Sequence, residues 1–171
     1  NLEWTLSCDS EEFRHVPARV PGHVLPALVE AGLVPDPNFG TQERDVQWVE
    51  LVAWTFSTHV PLPPGWKEGE QARLEFEGLD TYAHVLIDGV EVLASNNAFR
   101  RWSTPPFQMP REGFRLDIRL DPVAQAGERV LGRHGLAVPA GNELKPIGKQ
   151  TSPFTRKAGF QFGWDWGPRL A

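Results

Sequence analysis

Several residue types and patterns are scarce in this sequence, and each scarcity argues against a class of protein or site. The one cysteine, Cys8, cannot form an internal disulfide, and the five histidines show no pairing at ligand spacing, so a structural zinc site is disfavoured. No run of about 18 apolar residues is present, so no segment is predicted to span a membrane. Basic residues form no block and the net charge is -5, which argues against a nucleic-acid partner.

Motifs for several kinds of catalysis are also missing. A Rossmann fold is disfavoured because strands and helices do not alternate and no glycine fingerprint occurs. There is no Gly-x-Ser-x-Gly elbow, and Cys8 lies in a polar stretch without a matching histidine. Acidic residues are plentiful, but most alternate on strand faces, and no spacing marks a catalytic pair of the glycosidase kind. We therefore predict no catalytic residue, no metal and no cofactor in this chain.

The cysteine content also bears on the compartment. A single cysteine is compatible with a reducing compartment, and no basic stretch followed by an apolar one is visible near Asn1. On these grounds the cytoplasm is favoured, although removal of a signal peptide would leave the same sequence.

Turn-forming and aromatic residues are abundant instead. Sixteen prolines and sixteen glycines indicate many turns and short strands, and seven tryptophans and ten phenylalanines stand against one tyrosine. Alternation of apolar and polar residues predicts strands from about residue 48 through 54–58, and at 72–79, 83–93 and 114–120. Asp88-Gly89 divides the third of these into a hairpin, because both central positions of a type I′ turn need positive φ.

One short helix is predicted near the N-terminus. Apolar residues at positions 24, 25, 28 and 29 have helical spacing, and Gly32 fits a C-terminal stop. Residues from Asp121 to about Phe154 are rich in glycine and proline, and we predict an irregular segment that wraps the surface or forms a functional loop. Together, the short strands and the one helix predict an all-β fold, an antiparallel β-sandwich.

The segment from Gly159 to Pro168 is the most informative about function. It holds Asp165 between Trp164 and Trp166, with glycines on either side. A carboxylate accepts hydrogen bonds from a pair of sugar hydroxyls, and a flat aromatic face covers the apolar C–H face of a sugar ring. These residues therefore suit a sugar site. The alternative is a tight, Trp-rich turn that packs the edge of a sheet.

Three further features each allow a structural and a functional interpretation. Residues 96–102 have the pattern of a turn with an aromatic anchor, and we favour that structural interpretation. His84 lies in a predicted strand and is interpreted as a face residue rather than a metal ligand. Arg156 and Lys157 are either a solvated pair or hold Asp165 or a neighbouring carboxylate in place.

Four stretches, taken in order, form a pattern that spans nearly the whole chain. They are residues 20–23 with 32–37, residues 47–50 with Trp54, residues 76–83 continuing through the hairpin to 97 and 99–100, and residues 156–158 with 162–168. With this pattern the chain resembles the N-terminal sugar-binding domain of β-mannosidases, in family 2 of the glycoside hydrolases. The first and last stretches are specific to the β-mannosidase branch, and the middle ones are shared more loosely with related enzymes.

The resemblance implies a jelly-roll β-sandwich of the galactose-binding type, as a single domain over residues 1–171. In full-length members, immunoglobulin-like domains and a (β/α)8 barrel follow, and two glutamates of the barrel act as nucleophile and acid/base in retaining hydrolysis. The chain stops before those domains and before the strand that usually closes the jelly roll. It is therefore expected to be an excised or truncated domain, inactive by itself.

The resemblance also implies roles for individual residues in substrate binding. Asp165 matches the family acid that reaches into the active site of the barrel and hydrogen-bonds hydroxyls of the terminal mannose. Trp164 matches the adjacent aromatic residue that walls that subsite. Trp166 and Asn97 are further candidates, expected to support the site more than to contact the sugar.

The full protein is accordingly expected to be an exo-acting β-mannosidase that hydrolyses terminal non-reducing β-D-mannose. Its substrates would be β-mannosides or manno-oligosaccharides, and the downstream barrel would be the partner of this domain. A free-standing carbohydrate-binding module, or a purely structural domain of another family 2 glycosidase, is the alternative. Sugar affinity of the isolated chain would favour the module, and activity retained after replacement of Trp164 and Asp165 would favour the structural domain.

Overall fold

A computed structural model describes residues 2–67, 69–141, 143, 145–163 and 169 of the chain. None of the helices in these ranges is both long and apolar enough to cross a bilayer. The strands are β1 Trp4–Ser7, β2 Val16–Ala18, β3 Trp54–Val60, β4 Gln71–Ala72, β5 Glu75–Phe76, β6 Ala83–Ile87, β7 Val90–Ala94, β8 Trp102–Ser103, β9 Phe107–Gln108 and β10 Phe114–Leu120. The α-helices are α1 Val24–Glu30 and α2 Val123–His134, and short 3₁₀ helices lie at Glu11–Phe13, Gln42–Arg44, Gln47–Leu51, Ser152–Phe154 and Gly159–Phe162.

Six of the strands form one antiparallel sheet in the order β2-β1-β3-β10-β6-β7. The central pair, β3 and β10, is in continuous register from Trp54 opposite Leu120 to Val60 opposite Phe114. Alternate residues of both strands are buried, namely Trp54, Phe56, Thr58, Phe114, Leu116 and Ile118. The strands predicted from period-two alternation at 54–58 and 114–120 are therefore confirmed, and one face of the sheet covers the core.

Two short antiparallel pairs, β4–β9 and β5–β8, lie against this sheet. Phe107 of β9 packs edge-on against Phe114 of β10, with ring centroids 5.5 Å apart. Phe76 of β5 and Trp102 of β8 also pack against the core. The architecture is a β-sandwich, as the alternation predicted.

The continuous strand predicted over 72–79 is wrong, because that segment is divided between two partners. β4 pairs with β9, whereas β5 pairs with β8. Between them, Leu74 donates its backbone N–H to Thr104 Oγ1 at 3.1 Å and accepts from the Thr104 N–H at 3.0 Å. The side chain of Leu74 still points to the core, so the predicted alternation holds although the ladder is interrupted.

The Asp88-Gly89 hairpin is confirmed. Ile87 pairs with Val90, and the two turn residues have φ values of 48° and 81°. Asp88 Oδ1 also accepts the backbone N–H of Arg115 at 2.8 Å. The turn is therefore tied to the neighbouring strand β10 as well as closing β6 onto β7.

Helix α1 is confirmed at the predicted place, with Leu25, Ala27 and Leu28 buried. Hydrogen bonds to the last carbonyls stabilise its C-terminal end: the Gly32 N–H donates to Val29 O at 2.9 Å, and the Leu33 N–H donates to Leu28 O at 3.0 Å. Gly32 has a φ of 70°, which suits glycine because it lacks a Cβ.

The prediction of an irregular segment over 121–154 is wrong, and so is the prediction of only one helix, since α2 occupies twelve residues of that segment. Val123, Ala126 and Gly127 are buried on one face of α2. A Cβ on Gly127 would lie 2.6 Å from Thr151 Cβ. Glycine there permits close packing of the helix and does not mark a loop.

Candidate functional site

The residues predicted to bind the sugar differ in how far the structure describes them. Trp164, Asp165 and Trp166 lie outside the described residues. Gly163 and Arg169, on the two sides of this Trp-Asp-Trp segment, are described. The structure therefore describes the two flanks of the predicted site.

The N-terminal flank is the 3₁₀ helix Gly159–Phe162. Phe162 is 3% exposed, so its burial holds the end of this helix on the body of the domain. Gly163 follows with a φ of 136°, a conformation that a residue with a Cβ adopts only with strain. The backbone conformation at position 163, just before Trp164, therefore favours glycine.

The C-terminal flank is fixed by Arg169. Arg169 Nε and Nη2 donate to Gln47 Oε1 at 3.0 and 2.7 Å, and Gln47 Nε2 donates to the Arg169 carbonyl at 2.9 Å. Arg169 Nη2 also lies 2.8 Å from Glu50 Oε1, and the Glu50 side chain is only 9% exposed. Both the side chain and the backbone of Arg169 are therefore held by the 3₁₀ helix Gln47–Leu51.

That helix belongs to an aromatic cluster in the core. The Trp48 ring lies 5.1 Å from Phe13 and 6.2 Å from Trp54, measured between centroids. Trp54 Nε1 donates to Val49 O at 2.9 Å. The prediction that alternation begins near residue 48 is wrong, because the chain is helical through Leu51 and β3 begins at Trp54.

Asn97 supports a turn. Its Oδ1 accepts the backbone N–H of Phe99 at 2.9 Å, and its carbonyl accepts Trp102 Nε1 at 3.0 Å. Asn97 also forms a parallel bridge with Arg156, and the Ala98 N–H donates to Arg156 O at 2.9 Å. The aromatic anchor predicted for 96–102 is thus Trp102, and this turn holds the chain leading to the Trp-Asp-Trp segment. A contact between Asn97 and sugar stays a prediction.

Arg156 and Lys157 have different surroundings. The Arg156 guanidinium lies 5.9 Å from the Phe99 ring centroid. Lys157 Nζ lies 2.9 Å from Asp80 Oδ2, and the lysine side chain is 8% exposed. Lys157 therefore pairs with Asp80 and is not a solvated residue. A role of Arg156 or Lys157 in holding Asp165 stays a prediction, because Asp165 lies outside the described residues.

The loop between α2 and Arg156 is organised by two polar side chains. Glu143, whose side chain is 1% exposed, accepts the backbone N–H groups of Thr151 and Ser152, each at 2.8 Å. Gln150 bonds to both the N–H and the carbonyl of Ala140, at 2.7 and 3.0 Å. These bonds replace a regular ladder and give the loop a defined path towards residues 156–163.

The outer face of the six-stranded sheet carries a groove of about 810 Å³. Polar and charged side chains of β1, β3 and β10 line it, including Thr5, Ser57, Arg115 and Arg119. Of the described residues at the predicted site and its flanks, Asn97, Gln47 and Arg169 do not line it. The groove is therefore distinct from the contacts that hold Arg169.

His84 lies between two acids on the exposed side of β6. Its Nδ1 is 2.8 Å from Glu91 Oε2, and its Nε2 is 3.6 Å from Asp121 Oδ2. Within the described ranges, no cluster of three or more His, Cys, Asp or Glu side chains is placed to hold a metal ion. The position of His84 agrees with its interpretation as a face residue.

Sequence reasoning missed the contacts of Gln47, Glu50 and Arg169. The one local signal is the spacing of Gln47 and Glu50, because residues i and i+3 lie on the same side of a 3₁₀ helix. The partner, Arg169, is 122 residues from Gln47, and no local pattern indicates such a pairing.

Comparison with known proteins shows similarity over nearly the whole chain. Residues 4–171 match the glycosyl hydrolase 2 galactose-binding domain-like family. A β-mannosidase of Rattus norvegicus is 32% identical over 169 residues, which cover 96% of this chain and 19% of that protein. β-Mannosidase A of Emericella nidulans is 33% identical over 178 residues, covering 100% of this chain and 18% of that protein.

A solved structure gives the same result. The crystal structure of a β-D-mannosidase from Dictyoglomus thermophilum superposes with a TM-score of 0.85 and 31% sequence identity, over 98% of this chain and 20% of that chain. The chain thus spans about a fifth of the length of the relatives it matches.

Proposed function

The chain belongs to the glycosyl hydrolase 2 galactose-binding domain-like family, and we propose that it is the N-terminal domain of a retaining exo-β-mannosidase. The full enzyme would hydrolyse terminal non-reducing β-D-mannose from β-mannosides or manno-oligosaccharides. This domain would supply one wall of the sugar subsite. The two catalytic glutamates would come from a (β/α)8 barrel elsewhere in the protein.

One observation carries the proposal. Similarity to β-mannosidase A of Emericella nidulans covers 100% of this chain, and it therefore includes the segment whose chemistry suits a sugar. Both flanks of that segment are anchored, by buried Phe162 on one side and by the bonds of Arg169 on the other. An anchored acidic and aromatic segment is what a preformed sugar subsite requires.

The contribution of Asp165 to the reaction would be positional. A carboxylate that accepts hydrogen bonds from two hydroxyls fixes the orientation and depth of the terminal sugar, and charge-assisted bonds of this kind are stronger than neutral ones. Trp164 would cover the apolar face of the ring. In a retaining enzyme the nucleophile and the acid/base are about 5–5.5 Å apart, so a small displacement of the sugar would misalign both.

A substrate panel tests the proposed class. We expect the full-length protein to cleave an aryl β-D-mannoside with a kcat/KM far above that for the matching β-glucoside, β-galactoside and β-glucuronide. The first-formed product should be the β-anomer of mannose, because two inversions retain configuration. A preference for another glycoside, or release of the α-anomer, would contradict the proposal.

Calorimetry on the isolated chain separates the proposal from a free-standing carbohydrate-binding module. With most of the subsite supplied by the barrel, we expect no saturable heat with mannose or manno-oligosaccharides. Saturable binding at millimolar or tighter affinity would favour the module. Unchanged activity of the full enzyme after replacement of both Trp164 and Asp165 would favour a purely structural domain.

A further inference from the structure

Both the NH₂ group and the oxygen of the Gln47 side-chain amide make two hydrogen bonds each. Its Nε2 donates to Glu43 O at 3.0 Å and to Arg169 O at 2.9 Å, and its Oε1 accepts from Arg169 Nε and Nη2. Because a guanidinium has no acceptor and a carbonyl has no donor, only one orientation of the amide fits all four bonds. Gln47 is therefore matched to both the backbone and the side chain of Arg169.

Glu50 adds a charge to the same arrangement. It lies three residues after Gln47, on the same side of the 3₁₀ helix, and its carboxylate is 2.8 Å from Arg169 Nη2. The glutamate and arginine side chains are 9% and 26% exposed, so the pair is shielded from solvent. A shielded ion pair with defined hydrogen bonds orients its partners more firmly than an exposed one.

The support for this arrangement comes from the core. Val46 and Val49 are buried at 0% and 7% exposure, and Gln125 of α2 donates to Leu51 O at 3.3 Å. Gln47 and Glu50 are thus presented by a short helix that Val49 and Trp48 pack onto the core. Together with Arg169 they form what we call the Arg169 clamp.

We propose that Gln47 and Glu50 are positioning residues for the sugar subsite, acting through Arg169 on the Trp-Asp-Trp segment. Arg169 is four residues after Asp165 in the sequence, and its backbone carbonyl as well as its guanidinium is held. This inference rests on the proposed function, because it gives the clamp its role through Asp165. The clamp itself is not expected to contact the sugar.

The test uses the full-length enzyme and an aryl β-D-mannoside. We expect Arg169→Ala and Gln47→Ala to lower kcat/KM on the order of 10- to 100-fold, because a displacement of about 1 Å in a positioning group has effects of that size. Glu50→Gln, which keeps shape and one acceptor, should have a smaller effect in the same direction. In all three clamp variants, the loss should be divided between kcat and KM in the same proportion as in Asp165→Ala.

A double substitution distinguishes positioning from general damage. If the clamp acts through Asp165, adding Arg169→Ala to Asp165→Ala should lower kcat/KM less than about twofold further, since residues of one unit are non-additive. A multiplicative loss would overturn the inference. The inference would also be overturned if Arg169→Ala had a normal kcat/KM while Asp165→Ala lowered kcat/KM strongly. That result would leave the proposed function intact.

Two matched variants control for charge and for stability. Arg101 pairs with Glu77 at 3.1 Å, but both side chains are more than four-fifths exposed. Arg101→Ala therefore removes an arginine–glutamate ion pair that is not part of the Arg169 clamp. Val85 is fully buried in β6, so Val85→Ala should lower the melting temperature as much as or more than the clamp variants. We expect near-normal kcat/KM for both controls below their melting temperatures.

Two outcomes would contradict the inference. A fall in kcat/KM for Val85→Ala equal to that for Arg169→Ala would overturn the positioning role. A normal kcat/KM for Asp165→Ala would overturn the proposed function and this inference together.

Discussion

Lys157 and Asp80 form an ion pair 77 residues apart in sequence, with Nζ 2.9 Å from Oδ2. The lysine side chain is 8% exposed and the aspartate side chain 34%. Burial of an ammonium group is unfavourable unless an acid accompanies it. The pair therefore ties the chain before Gly159 to the connection between β5 and β6.

The unequal burial of this pair predicts unequal effects on stability. Asp80→Ala should lower the free energy of unfolding by about 1–3 kcal/mol, because it leaves a buried ammonium without its partner. Lys157→Met keeps the apolar stem, and the half-exposed aspartate can hydrate, so its cost should be below about 1 kcal/mol. Urea unfolding of the two variants measures the difference.

The exposed pair Arg101–Glu77 is the control for this prediction. Replacement of Arg101 by alanine should change the free energy of unfolding by about 0.5 kcal/mol or less. Equal losses for Asp80→Ala and Lys157→Met would contradict the unequal-burial argument.

Two glycines in α2 provide a matched pair. Gly127→Ala should destabilise the chain by about 1–3 kcal/mol, because the new methyl group would overlap Thr151. Gly132→Ala, where a Cβ would have no neighbour within 4 Å, should stabilise it by about 0.5–1 kcal/mol through helix propensity. Thermal unfolding of both variants reports the signs, and the same sign for both would rule out the packing of α2 on Thr151.

Glu143 should be a principal stabilising group of the loop before the site. Glu143→Ala leaves the buried N–H group of Thr151 and the partly buried one of Ser152 without their acceptor, so we expect the free energy of unfolding to fall by about 2–4 kcal/mol. Hydrogen exchange at those two amides should accelerate more than at amides of β10. Glu128→Ala, at an exposed position of α2, should change the free energy of unfolding by less than about 0.5 kcal/mol. Unchanged exchange at Thr151 and Ser152 in Glu143→Ala would refute this role.

The strands that could be predicted from sequence are those with one buried face and one solvated face. Phe114, Leu116 and Ile118 alternate with polar residues because β10 lies in the middle of the sheet over the core. The hairpin could be predicted because Asp88-Gly89 satisfies a turn that few other dipeptides fit. These strands and this turn depend on residues that are close together in the sequence, so a pattern of a few residues is enough to predict them.

What could not be predicted depends on distant partners. Gly127 and the nearby prolines suggested a loop, because the reason for the glycine is Thr151, which lies outside any local window. Val123 and Ala126 do have helical spacing, but the glycine content of the segment does not favour a helix. The sugar-binding roles proposed for Asp165 and Trp164 rest on chemistry and family resemblance, whereas the clamp could be found only from the pairing of Gln47 with Arg169 in the structure.

Asp165 is proposed to hold the terminal mannose, and the kcat/KM of Asp165→Ala in the full-length enzyme tests this role most directly. Loss of a carboxylate bonded to two hydroxyls should cost about 2–4 kcal/mol of transition-state binding, which corresponds to a fall of roughly 30- to 1,000-fold. The melting temperature should stay close to that of the parent enzyme. A kcat/KM for an aryl β-D-mannoside within about threefold of the parent value, in a folded protein, would contradict the claim.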